Sequence, residues 1–410
     1  DAGARRGMTG PPLRILQVTA ASAGGDWFLG QVSGLACRGH TVCAVLPADG
    51  PLAGRLRAAG IRTEVIPFRG KRPGEIPRIA AAEARLTRLA REFQPDVIHG
   101  HLLKAVLCCR GAGLGFPRAL RVSQLPGTVH LHSPLLRAAD LGTMRLDDLV
   151  IGSCQAIASQ YRAAGARRVA VSYYGCDVHA INPATPGHAF RHEFGLGPGT
   201  PAVGMVAHMY PTRLHAFRDI GVKGHEVFLD AAPLLLRQAP AARLFVVGDE
   251  FSGDGSYRRA LEARAAALGV AGRVVFTGHR ADVAGVLAGL DVVVCPSVSE
   301  SASYALVEAL LMGKGVVASA VGGLPDTVQH GETGLLVPPA DPAALAAAMA
   351  SLLADPGQRA AMGRRGRERC LRQFDISATV AGVEALYRDG LDRLRRAGRP
   401  GRLRKQRCPC

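Results

Sequence analysis

The chain has 410 residues, 48% hydrophobic and 20% charged, which is a globular composition with room for two domains and excludes an extended disordered chain. It contains no run of about 18 apolar residues, so no membrane span is expected, and its 10 cysteines are scattered mostly singly, which points to a reducing, cytoplasmic setting rather than a disulfide framework. The formal charge of +17 favours anionic partners, which include nucleotide-sugars, acidic lipids and nucleic acid.

Residues 1–10 lack the apolar segment of a signal peptide and are read as a disordered N-terminus, with Met8 a candidate natural start. Leu13 to Thr19 is a predicted strand, followed by a glycine-containing loop with Gly24 and Gly25 and by a helix that ends near Arg38 to His40. The strand Thr41 to Leu46 completes a first βαβ unit. A Gly-Gly pair at a strand end permits close approach to a phosphate or sugar, although such a pair is more often simply a turn. Strands at Thr63 to Phe68, Pro95 to His101, Ala119 to Leu125, Leu149 to Ser153 and Val169 to Tyr173, with a basic helix from Ile76 to Phe93, extend the alternation into a doubly wound sheet over 11–180. His99 and His101 share an i, i+2 spacing with His130 and His132, which suits a metal pair or, as the favoured reading, a polar cleft wall.

Composition turns to Pro, Gly, His and Asn before the second half, and 181–200 reads as a linker. The α/β alternation then restarts: Ala202 to Ala207, a long loop and a helix to Leu236, Arg243 to Val247, a helix from Tyr257 to Leu268, and Val274 to Thr277. Val292 to Cys295 is a buried strand broken by Pro296-Ser297, before an amphipathic helix from about Ser303 to Met312 and a strand from Gly315 to Ser319. Ligands of such parallel units lie beyond the carboxyl ends of the strands, which puts Glu300 in the first such loop and Glu308 inside the helix that follows. Ser301 and Ser303 are good cap residues, and a helix N-terminus is a natural seat for a phosphate. The second half runs over 201–375, a last helix over 376–396, and the basic segment 397–410 reads as a disordered tail.

The pairing Glu300-x7-Glu308, followed by GKGVVAS, VGGLPD and HGETGLLVPP, resembles the signature of the large retaining, nucleotide-sugar-dependent glycosyltransferase family known as group 1, or family 4-like. That resemblance implies an α/β GT-B fold: two Rossmann-like domains facing across a cleft, the first binding the acceptor, the second the donor, and the last helix crossing back to the first. It implies a hexosyltransferase-type enzyme that moves a sugar from a nucleoside diphosphate sugar to a glycan or lipid-linked acceptor hydroxyl. The expected setting is polysaccharide or glycolipid synthesis, in the cytoplasm or peripherally on the inner face of a membrane with an anionic surface. No metal cofactor and no nucleic acid partner are expected, and the nucleotide-sugar is a co-substrate.

By the same resemblance Glu308 accepts hydrogen bonds from the donor ribose, Glu300 approaches the transferred sugar, and backbone amides of Ser301, Ala302, Ser303, Tyr304 and Ala305 face the diphosphate. Lys223 matches the lysine set against the diphosphate, and Gly24, Gly25 and Gly278 are counted with the donor-binding positions. Three departures stand out. The family's Phe-Gly between the two acids is Ala302-Ser303, its arginine after the strand at Gly204 to Val206 is His208, and its histidine after Leu125 is Pro126. Arg213 or Arg218 in the long loop is a candidate for the missing guanidinium, and both also read as solvated surface charges. His130 or His132 is the displaced substitute for the histidine, with His130 taken as catalytic. Two other classes fit the chain: a GT-B nucleotide-sugar epimerase, and a non-catalytic protein binding anions or nucleic acid, which would have no use for the Glu300/Glu308 pair.

Overall fold

The structure, a computed structural model, describes residues 10–21, 25–68, 76–211, 213–214, 216–250 and 254–398. Gly24, residues 1–9 of the expected N-terminal tail and residues 399–410 of the expected C-terminal tail lie outside the described residues. The chain divides into two compact units, Asp1–Cys176 with Ile376–Cys410, and Asp177–Asp375.

In the first unit β1 (Arg14–Thr19), β2 (Thr41–Leu46), β3 (Arg62–Val65), β4 (Val97–His101), β5 (Leu120–Leu125), β6 (Leu149–Gly152) and β7 (Val169–Val171) form one sheet in the order β3-β2-β1-β4-β5-β6-β7. Every pairing is parallel, with Ile15 registered on Val42 and on Val97. A parallel sheet needs helices on both faces because βαβ crossovers must cover them. These are α1 (Asp26–Cys37), α2 (Pro51–Ala58), α3 (Ile76–Phe93), α4 (Leu103–Gly113), α5 (Pro134–Thr143) and α6 (Gln155–Ala163). Alternation along β1 shows the two layers: Ile15 packs with Phe28, Val32 and Leu35 of α1, whereas Leu16 packs with Leu86 and Ala90 of α3.

The second unit begins with a correction. Residues 181–200, expected as a linker, contain α7 (His188–Glu193), whose Phe190 is buried and packs at a tilt against the rings of Phe194 and Phe245. Arg191 also ties down the carbonyls of Gly197 and Thr200 at 2.8 and 2.7 Å. Two phenylalanines four residues apart were enough to dock a stretch whose composition reads as loop.

A six-stranded parallel sheet follows in the order β12-β11-β8-β13-β14-β15, built from β8 (Ala202–Val206), β11 (Arg243–Val247), β12 (Val274–Gly278), β13 (Val292–Cys295), β14 (Gly315–Ser319) and β15 (Leu335–Val337). The long loop after β8 holds an antiparallel hairpin of β9 (Arg213–Leu214) and β10 (Phe217–Gly221). The helices are α8 (His225–Gln238), α9 (Ser256–Ala267), α10 (Val283–Gly289), α11 (Tyr304–Leu311), α12 (Leu324–Thr327), α13 (Pro342–Ala354) and α14 (Pro356–Gln373). Strand order reverses at β8, which lies between β11 and β13, so the crevice for a ligand is expected beyond the carboxyl ends of β8 and β13.

The last helix, α15 (Ile376–Arg396), belongs to the first unit. Gly30 and Gly34, four residues apart on α1, leave the flat strip on which it lies. A Cβ at Gly34 would come within 2.7 Å of Val380, and one at Gly30 within 3.0 Å of Ile376. Its buried Glu384 accepts from Arg38 at 2.5 Å and from Arg388 at 2.8 Å. Burial opposes the Glu384 carboxylate, but those hydrogen bonds and the neighbouring positive charges outweigh it and hold its pKa below the ordinary glutamate value.

A lowered folded-state pKa contributes stability that is complete above the unfolded value of about 4.3 and is lost as pH falls through the folded one. Glu384→Gln is therefore expected to lower the melting temperature at pH 7, with the gap to the parent protein closing below about pH 4. Thermal melts of both proteins between pH 7 and pH 3 check this; a gap that stays constant would mean that the charge of Glu384 is not its source. Among the described residues, no helix is long and apolar enough to cross a membrane.

Candidate active site

The site is assembled from two loops at the reversal of the second sheet. After β13, Pro296 turns the chain, and the Val298 amide donates to the Val222 carbonyl at 3.0 Å, which ties this loop to the one that precedes α8. Gly224 caps α8 with φ +74, and a Cβ there would fall 2.0 Å from the Pro296 carbonyl oxygen, so only glycine lets the two loops close. Between those two ties stand Lys223 and Glu300, joined as an ion pair through Nζ and Oε2. Glu300 is further held by the Ser301 amide on Oε1 at 3.3 Å and by Ser297 Oγ at 3.5 Å.

Burial works against the Lys223 ammonium, yet the Glu300 carboxylate beside it wins and keeps its pKa above the ordinary lysine value. Lys223 therefore stays a cation across the working pH range. His225, the first residue of α8, is fully buried; burial and then the Lys223 charge push its pKa down to about 3, so it adds no positive charge. Cys295 is a half-buried thiol whose pKa is raised by its enclosure, so the thiol form is favoured over the thiolate.

A cavity of about 230 Å³ opens on this pair, lined by Lys223 and Glu300 together with His208 and Tyr210 after β8, and Ala302, Ser303, Tyr304 and Ala305 at the start of α11. Ser303 is the N-cap, accepting from the Leu306 amide at 3.3 Å. The amides of the first helical residues have no intrahelical carbonyl to bond, so Tyr304 and Ala305 present a positive helix end to the cavity beside Lys223.

Eight of the expected positions thus fall in two groups. Lys223, Glu300, His208, Ala302, Ser303, Tyr304 and Ala305 line the cavity, while Ser301 is one step back, donating to Glu300. Glu308 is half-buried further along α11 and does not line it. Arg218 is exposed on β10 and outside the lining, and the Arg213 side chain lies outside the described residues. Gly278 ends β12 with φ +71, its carbonyl accepting from the Gly248 amide at 3.0 Å, and is likewise outside the lining.

The remaining expected positions are on the first unit. Gly25 caps α1 at φ +81 against Leu52. His130 engages the buried Asp140 through Nε2 at 2.8 Å. Burial opposes the Asp140 charge, but hydrogen bonds from His130, Tyr161 and Arg110 hold its pKa below the ordinary aspartate value, so Asp140 accepts and His130 donates. That engagement fastens the turn at 129–132 to α5 and α6.

His99 and His101 correct the reading of a polar cleft wall: both are fully buried. Gln17 Oε1 can only accept, so His101 donates to it from Nε2 at 2.6 Å, and Tyr387 of α15 contacts His99 Nδ1 at 2.6 Å. Burial takes His101 down to about 3, and the pair is a neutral part of the core. Sequence reasoning missed Tyr210, Ser297 and Cys295 in and around the cavity; the strand-end position of Ser297 was the available signal.

Two family models match. The Glycosyl transferase 4-like domain covers residues 25–176, and the Glycosyl transferases group 1 model covers 211–355, which takes in Lys223, Glu300 and Glu308. The chain belongs to the group 1 glycosyltransferases. A D-inositol 3-phosphate glycosyltransferase of Segniliparus rotundus is 37% identical over 235 residues, 57% of this chain and 49% of that protein. The chain thus matches about half the length of that relative. An alpha-maltose-1-phosphate synthase of Mycolicibacterium smegmatis is 28% identical, over 76% of this chain and 85% of that protein. The structure of Anabaena HepE in complex with UDP-glucose aligns at 25% identity with a TM-score of 0.74, covering 91% of this chain and 100% of that one. The two parallel-sheet α/β units of this group 1 glycosyltransferase are those of the GT-B class.

Proposed function

We propose that this group 1 glycosyltransferase moves a sugar from a nucleoside diphosphate sugar to an acceptor hydroxyl with retention at the anomeric carbon and without a metal ion. The observation that carries the reading is the convergence of the Lys223 cation and the N-terminal end of α11 on one cavity that also holds Glu300. A diphosphate seated there meets one fixed positive charge and one helix dipole, the groups that favour a departing diphosphate most as its charge grows.

In the step itself the bond from the anomeric carbon to the diphosphate oxygen breaks, and the acceptor oxygen forms the new bond on the same face. The acceptor proton passes to the leaving phosphate oxygen, so no protein nucleophile is used. Glu308 takes the ribose hydroxyls, an acceptor-only role suited to a carboxylate. Glu300 is the ion-pair partner of Lys223, and a bound diphosphate would share or displace that contact, leaving Glu300 to face the sugar ring.

HepE is described with UDP-glucose, which makes UDP-glucose the first donor to test. The names D-inositol 3-phosphate glycosyltransferase and alpha-maltose-1-phosphate synthase put phosphorylated polyols and sugars beside lipid-linked glycans in the acceptor panel. In a thermal-shift screen of nucleotide-sugars, one donor at a hundred times its Kd is expected to stabilise by about 2.7 kcal/mol, and Glu308→Ala to weaken that donor by about 1.5–3 kcal/mol for each lost bond to a charged acceptor. Product analysis follows. Conversion of the donor without acceptor would replace transfer by epimerisation, and absence of any stabilising donor would remove the reading.

A further inference from the structure

Among the described residues four large hydrophobic side chains are exposed, and three of them, Val129, Leu135 and Leu136, lie within eight consecutive positions of the first unit. Leu135 is 78% exposed at the start of α5. A groove of about 380 Å³ adjoins it, lined by Leu131, His132, Pro134, Arg137, Ala138 and Leu141.

The charges around this tip are sorted by sign. Of the acids that follow, Asp140 and Asp147 are buried and paired with the buried Arg110, at 2.9 and 2.7 Å, and the half-buried Asp148 is paired with Arg121 at 3.0 Å. Thr143 also accepts from Arg110, and Asp140 in addition holds His130 and Tyr161. What remains outside from 129 to 145 is apolar or basic: His132, Arg137 and Arg145 are exposed. The buried network fixes the segment from beneath, so the leucines project from a held element.

We infer that this face docks the protein on an anionic bilayer, with Leu135 and Leu136 entering the acyl boundary and Arg137 and Arg145 in the headgroup layer. Charge complementarity selects that occupant. A second copy of a chain carrying +17 would bring like charges together around the patch, whereas an anionic lipid surface attracts both the patch and the whole chain. At 10 residues α5 is far too short to span a bilayer and suits an interfacial position. The docking does not depend on the proposed transfer, which it would place beside lipid-borne acceptors.

The test is sedimentation of the full chain with phosphatidylcholine vesicles, with and without roughly one third phosphatidylglycerol. The parent is expected to bind the anionic vesicles. The double variant Leu135→Glu/Leu136→Glu is expected to lower the partition coefficient by about tenfold or more, and Arg137→Ala/Arg145→Ala to lower it with a weaker dependence on salt. Because all four side chains are exposed, melting temperature should hold in each variant. Equal binding of the leucine variant and the parent overturns the proposal. So does binding lost only on deletion of 397–410, or a concentration-dependent oligomer that the leucine variant abolishes while vesicle binding persists. Vesicle binding that follows the leucines in a protein with no transfer activity leaves the surface standing and removes only the proposed function.

Discussion

Lys223→Ala is expected to lower kcat by about 10²–10³, the loss measured when one preorganised contact to developing charge is removed. Two effects combine in that variant and must be separated. One is the missing cation at the diphosphate; the other is Glu300, whose side chain is 9% exposed and loses its ion-pair partner. A carboxylate left so enclosed without its cation repels an incoming diphosphate and destabilises the loop. The double variant Lys223→Ala/Glu300→Gln resolves them. If the unpaired carboxylate is the cause, adding Glu300→Gln restores donor affinity and melting temperature; if the cation acts on the leaving group, kcat stays depressed. Steady-state kinetics with calorimetric donor binding provide both readouts, and a single variant with unchanged kcat would take Lys223 out of the chemistry.

Much of the sheet framework was legible because buried parallel strands are short continuous apolar runs. Val292 to Cys295 and Gly315 to Ser319 match β13 and β14 residue for residue, and Ser303 is the cap of α11 that its position before an apolar helical run suggested. The elements that escaped had weaker or competing signals. α7 was hidden by the Pro and Gly around Phe190, and the β9–β10 hairpin has only two residues in its first strand. α13 and α14 carried readable starts in Asp341-Pro342 and Asp355-Pro356, where both aspartates cap the helix, at 2.9 and 2.8 Å.

The site divides the same way. A lysine before a helix and a glutamate after a strand are local patterns, so each could be picked out alone. Their pairing across 77 residues is a tertiary fact created when the Val222 carbonyl meets the Val298 amide, and no local pattern encodes it. His99 and His101 show the converse. Strand-end histidines suit a cleft, but a tyrosine 288 positions away on α15 covers His99 and turns the pair into core.

Gly322→Ala should damage the site although Gly322 is not itself part of the cavity lining. Gly322 follows β14 at φ +55, and a Cβ on it would lie 1.7 Å from the carbonyl oxygen of Glu300, the same oxygen that accepts from the Gly323 amide at 3.1 Å. The loop after β14 is thus clamped on the backbone of Glu300, and this clamp sets where the carboxylate meets Lys223. An alanine must push the two loops apart, breaking the Gly323 bond and carrying Glu300 away from the cavity. Left-handed backbone strain alone costs about 1–3 kcal/mol, and misplacing a positioned group by about 1 Å can cost 10²-fold in rate. The expected result is a melting temperature lower by several degrees and kcat/KM reduced about 10²-fold or more. Gly331→Ala is the control, because Gly331 has φ +78 with nothing within 4 Å of its would-be Cβ, so it carries the strain without the collision. It should lose stability and keep its rate. Parent-like rates in both variants would show that the clamp does not position Glu300, and equal losses of rate would show that general destabilisation, rather than displacement of this loop, governs activity.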